Sequence, residues 1–179
     1  MSIQVFILSK LMEENNYPYK LKKELSEFIP MEKLSRLTES KLYYHFESLA
    51  KQGLIEIVEV IKEEHRPDKQ VFGITEKGRQ ALPKKIYDLF EKADSIRDLL
   101  AGLTNFKYVD RSRIVDILER KIKHIKADWE KTTDSGKQMM EDPNNEAMLN
   151  FVGGYFESKT EHTIQWLEEL KNLIEDGRI

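Results

Sequence analysis

Set at about 100° per residue, residues 39 to 52 separate into two kinds of side chain. Leu42, Phe46 and Leu49 converge on one side, whereas Ser40, Lys41, Tyr44, Glu47, Ser48 and Lys51 occupy the other, with Tyr43 on the flank. Hydroxyls, ammonium groups and phenols in this pattern can reach phosphate oxygens and base edges in a major groove. Glu47 runs against that chemistry, because phosphates repel a carboxylate; contact with a cytosine amine and pairing with Lys51 both remain open for it. The alternative for Tyr43 and Tyr44 is packing against a neighbouring element. Lys20, Lys22 and Lys23, and farther on Arg66 and Lys69, are further phosphate candidates. Lysine runs on helices are also common as plain solvated faces.

Other chemistry is thinly represented. The chain has no cysteine, so disulfides and thiolate metal sites are excluded. No phosphate-cradling Gly-x-x-x-x-Gly-Lys loop, zincin motif or nucleophile elbow occurs. His124 and Asp128 stand one helical turn apart and could share a metal with His162, but such spacing arises readily by chance in a charged helix. The expectation is a protein without enzymatic activity, cofactor or metal.

The elements that would hold these side chains can be read from periodicity. Apolar residues from Ile3 to Met12 recur at helical spacing, and Asn15-Asn16-Tyr17-Pro18 interrupts them. A second helix follows from about 18 to 28, with Pro18 suited to its first turn. Thr38 is a good N-cap for the helix over 39–52, and Gly53 stands where helices commonly end. Leu54 to Ile61 and Gln70 to Thr75 read as strands joined by a charged loop. Three helices followed by a hairpin is the order of a winged helix-turn-helix. From Glu76 onward the pattern is helical: about 76–102 with a bend at Pro83, about 110–134, a break at Ser135-Gly136 through Asn144, and about 144–176.

On the last helix, Met148, Phe151, Tyr155, His162, Trp166, Leu170 and Leu173 recur at three- and four-residue steps. A stripe that broad needs more than one neighbour, so one side is expected to pack within the chain and the other against a second copy. A monomeric bundle is the alternative. Gly153-Gly154 would let another backbone or ring approach closely. Trp129 and Trp166 could stack on a flat effector, or serve as plain core or interface residues.

Hydrophobic residues make up 40% of the 179 and charged residues 34%, with a net charge of −3. That balance gives a folded core and speaks against indiscriminate nucleic-acid binding, although phosphate binding depends on where cations sit. No stretch approaches the ~20 apolar residues needed to cross a bilayer, and the start of the chain lacks a secretory signal. A cytoplasmic protein that does not engage membranes is expected.

Several stretches resemble the PadR family of bacterial transcriptional regulators. Tyr17-Pro18-Tyr19-Lys20-Leu21-Lys22-Lys23, Leu42-Tyr43-Tyr44-His45-Phe46-Glu47-Ser48-Leu49, Gly53-Leu54-Ile55 and Arg66-Pro67-Asp68-Lys69 through Thr75-Glu76-Lys77-Gly78 are similar to its motifs in order and spacing. Arg97 to Gly102 and Gly153 to Leu170 resemble the family's longer-tailed branch. Pro18 stands where the family has glycine, and Tyr44 where its recognition helix has proline. The resemblance implies a mostly α fold with a small β-hairpin: a winged helix-turn-helix over 1–82 and a C-terminal helical dimerisation domain over 83–179. It further implies a homodimer on a palindromic double-stranded DNA operator, usually repressing, with a small aromatic effector in some members. A winged helix used for protein–protein interaction without DNA is the alternative.

Overall fold

The computed structural model describes residues 3–28, 38–62, 68–93, 95–139 and 146–179. Its elements are α1 (Ile3–Glu13), α2 (Pro18–Phe28), α3 (Glu39–Lys51), β1 (Ile55–Ile61), β2 (Lys69–Ile74), α4 (Glu76–Lys92), α5 (Ile96–Leu103), a 3-10 turn (Phe106–Tyr108), α6 (Arg111–Met139) and α7 (Glu146–Glu175). The chain divides into two compact units, Met1–Val109 and Asp110–Ile179. The division expected between 82 and 83 falls inside α4, whose Leu82, Ile86 and Phe90 form one fully buried row.

In the first unit α1 is the central element, packing against α3, α4, α5 and β2. Its apolar residues therefore do more than line one face: Val5, Ile7, Leu8 and Leu11 are buried, and so is Ser9. Ser9 satisfies its hydroxyl by donating to the Phe6 carbonyl at 2.9 Å, the usual remedy for a hydroxyl in a helix interior. β1 and β2 pair antiparallel, Ile55 opposite Ile74 and Ile61 opposite Lys69, with a bulge between Ile57 and Glu59. Asn16 extends the hairpin on the far side of β2, exchanging two backbone hydrogen bonds with Phe72 at 3.0 and 2.8 Å. β2 turns Val71 to Ile74 inward, whereas β1 buries only Ile55 and leaves Ile57, Val58, Val60 and Ile61 exposed.

Three boundaries differ from expectation. The helix from 76 continues past Pro83 but ends at Ala93, whose ψ of 130° is extended. A separate α5 then begins after Ser95. Farther on, α6 continues through Ser135-Gly136 to Met139. A helix tolerates one interior glycine at a cost of about 1 kcal/mol, so residues 135–139 stay helical, and the rest of the expected break lies outside the described residues.

The second unit is a pair of long helices. Lys126–Glu168 (2.8 Å) and Lys171–Glu119 (3.1 Å) join them; the numbers rise along α6 as they fall along α7, so the pair is antiparallel. Ile114, Ile117, Leu118 and Ile122 are buried on α6, and Leu167, Leu170 and Ile174 on α7. No helix among the described residues is long and apolar enough to cross a membrane.

Candidate nucleic-acid interface

The face of α3 is set by its two ends. Thr38 caps the start, its hydroxyl accepting from the Lys41 N–H at 3.3 Å. At the other end Gly53 adopts φ +69°, left-handed backbone that an L side chain resists. The Gly53 N–H reaches the Ala50 carbonyl and the Leu54 N–H the Leu49 carbonyl, the double bond pattern of a Schellman motif. Between these caps Leu42, Phe46 and Leu49 are fully or almost fully buried. Phe46 meets the Phe72 ring of β2 at 5.0 Å.

Burying that row forces the polar row outward. Ser40, Lys41, Tyr43, Tyr44, Glu47 and Lys51 are exposed, Tyr44 by 67% and Tyr43 by 44%. Ser48 is half-buried and bonded to Gln52. Tyr43, the less exposed of the two, lines a notch together with Tyr17 and Tyr19 at the start of α2 and Lys69 and Phe72 of β2. Tyr44 instead lies edge-on to His45 at 5.5 Å. Burial, and behind it the charge of Lys41, holds the His45 imidazole below its ordinary pKa.

The other candidate cations are distributed around α3. Lys22 pairs with Glu39 in its first turn at 3.1 Å, and Lys23 is exposed. Lys20 pairs with Glu14 at 2.6 Å, a contact that raises its pKa. Lys69, at the start of β2, sits 5.6 Å from the centroid of the Tyr17 ring. Arg66 lies outside the described residues.

Three positioning residues carry no charge pattern that points to them. Thr75 caps α4 and donates to the Gly53 carbonyl at 2.8 Å. Lys77 Nζ donates to the Gln52 carbonyl at 2.7 Å, placing a cation at the negative end of the α3 dipole. A Cβ on Gly78 would overlap the Leu54 carbonyl oxygen. The stretch Thr75-Glu76-Lys77-Gly78 thus fastens the wing exit to the end of α3. Residues 7–84, which contain all of these features, match the Transcriptional regulator PadR-like family. This segment belongs to the PadR-like family.

The PadR-like match coincides with the winged helix-turn-helix segment. Similar solved structures include Bacillus subtilis PadR in complex with operator DNA, at 16% identity and a TM-score of 0.39, covering 97% of this chain and 99% of that one. They also include smu.1604c from Streptococcus mutans UA159, at 20% identity and a TM-score of 0.41, covering 94% and 98%. The PadR-like transcriptional regulator BC1756 from Bacillus cereus is 19% identical, with a TM-score of 0.37 and coverage of 97% and 96%. No curated protein matches the chain.

Outside the PadR-like domain, the α7 stripe divides. Leu170 is buried and Leu173 half-buried, but Met148, Phe151, Tyr155, His162 and Trp166 are exposed. His162 accepts from the Trp166 indole N–H at 2.8 Å, while His124 lies 3.2 Å from Asp128. Trp129 is half-buried. The 430 Å³ cavity between α6 and α7 is lined by neither tryptophan.

Proposed function

We propose that this chain is a sequence-specific DNA-binding repressor that acts as a homodimer on a palindromic operator. The observation that carries the reading is the division of α3 into a buried Leu42-Phe46-Leu49 row and an exposed row bearing Lys41, Tyr43, Tyr44 and Lys51. In a winged helix-turn-helix that exposed row enters the major groove. Ser40 and Ser48 add hydroxyls, and Lys22, Lys23, Arg66 and Lys69 would hold backbone phosphates. One such unit binds weakly, so two half-sites read by two copies supply the affinity.

The second copy is proposed to cover the exposed part of the α7 stripe. Met148, Phe151, Tyr155, His162 and Trp166 present the apolar surface, with Leu170 and Leu173 continuing it inward. Among the described residues, a Cβ at Gly153 or Gly154 would meet nothing within 4 Å apart from its own helix backbone. Packing within one copy therefore gives no reason for two helix-weakening glycines side by side; close approach by a partner does. A small aromatic effector remains part of the proposal, with Trp129 and Trp166 as its reporters: titration with planar aromatics should change tryptophan emission.

Selection of bound duplexes from a random pool tests the central reading. It should return an inverted repeat with half-sites about one helical turn apart, and binding to it should weaken steeply as salt rises. A pool that shows no enrichment would overturn the DNA reading. Salt-insensitive capture of a protein partner would favour the interaction-module alternative instead.

A further inference from the structure

We propose that the notch between the start of α2, α3 and the wing is a binding site for a small organic cation, a quaternary or protonated aromatic amine. The notch encloses 440 Å³, within the ~300–1,000 Å³ of small-molecule sites. Tyr17, Tyr19, Tyr43, Phe46 and Phe72 line it, and so do the acidic residues Glu47 and Asp68. An aromatic ring has a face of negative potential that attracts a cation within about 6 Å. The two carboxylates outnumber the single ammonium of Lys69 and make the cavity's formal charge negative.

The protein carries an internal sample of the ligand. Lys69 Nζ already lies 5.6 Å from the centre of the Tyr17 ring, so an ammonium group is at home against this wall. An anionic ligand would face Glu47 and Asp68 at close range. A neutral apolar one would strip water from both carboxylates with nothing in exchange. A cation with a flat apolar body answers both the rings and the charge. The site also gives Glu47 a role that a phosphate-facing helix does not.

The site stands apart from the DNA reading. One consequence depends on that reading: Tyr43 and Lys69 belong to both surfaces, so ligand and duplex would exclude each other. The test accordingly uses the full chain without DNA. Isothermal titration with benzyltrimethylammonium should give saturable binding, while benzoate and benzyl alcohol give none. Glu47→Gln and Tyr43→Leu should each weaken the cation about tenfold, with unchanged thermal melts showing that both variants fold. Trp166→Phe should bind like the parent, separating this site from any at the tryptophans. Equal binding of benzyl alcohol, an unchanged affinity in Glu47→Gln, or no saturable heat at millimolar probe would each overturn the proposal.

Discussion

Thr75 Oγ1 donates to the Gly53 carbonyl at 2.8 Å while accepting from the Gly78 N–H at 3.0 Å. One hydroxyl thereby closes the end of α3 against the start of α4, two points 22 residues apart in the chain. The orientation of the exposed α3 row follows from this junction, since Leu54 and Ile55 lead directly from it into the wing.

The junction has no room for a side chain at position 78. Gly78→Ala should lower stability by about 3 kcal/mol, because its methyl group would meet backbone and the Ile74 side chain. Thr75→Val, which loses the cap but keeps the shape, should cost about 1 kcal/mol. Urea denaturation followed by circular dichroism checks both, and equal small losses would show that the junction yields more easily than its geometry implies.

Lys41 and Tyr44 lie on the exposed side of α3 and contribute nothing to its core. Lys41→Ala and Tyr44→Ala should weaken operator binding while leaving the melting temperature unchanged. For Lys41→Ala, the slope of log affinity against log salt should also shrink by about one, the signature of one lost phosphate contact. Parental binding in both variants would mean that another surface meets DNA.

His45 gives the winged helix a pH dependence with a definite sign. Its folded-state pKa is lowered by burial and by Lys41, so the unfolded chain takes up the proton first as pH falls. The stability tied to neutral His45 is complete above the ordinary value of 6.5. It is lost as pH drops from there through the folded-state value. Melting temperatures measured from pH 8 to pH 5 should fall more for the parent than for His45→Gln, and parallel curves would remove His45 as the cause.

The winged helix was legible because local signals agreed. Thr38 and Gly53 bracket an amphipathic run whose Leu42, Phe46 and Leu49 had no other place than the core. The split between α4 and α5 was harder to see, since Ala93 is neither glycine nor proline. The clue was present nonetheless: Ser95 and Asp98 stand at capping-box spacing, and Ser95 Oγ donates to Asp98 at 2.7 Å. Long-range geometry left no such trace. Nothing in the composition of residues 15–17 announces the backbone pairing of Asn16 with Phe72. The notch that gathers Tyr17, Tyr43 and Lys69 likewise requires three distant segments to meet. The apolar run of β1 was legible as a strand, yet of that strand only Ile55 is buried.

Association through α7 makes the most demanding prediction, because one helix must satisfy two opposed requirements. Phe151 is exposed by 76% and Tyr155 by 58%, so a charge there costs little in a single chain and much in an apolar interface. Phe151→Glu should therefore convert a particle of twice the 21.1 kDa chain mass into a monomer, read by light scattering, with no loss of helical circular dichroism. Gly154→Ala separates the two requirements further. Alanine should stabilise the helix by about 1 kcal/mol, yet its methyl group would hold a partner backbone away. Weaker association together with a more stable helix is the expected result. Tighter association would place the partner on another face of α7, and a monomeric parent at micromolar concentration would remove the dimer altogether.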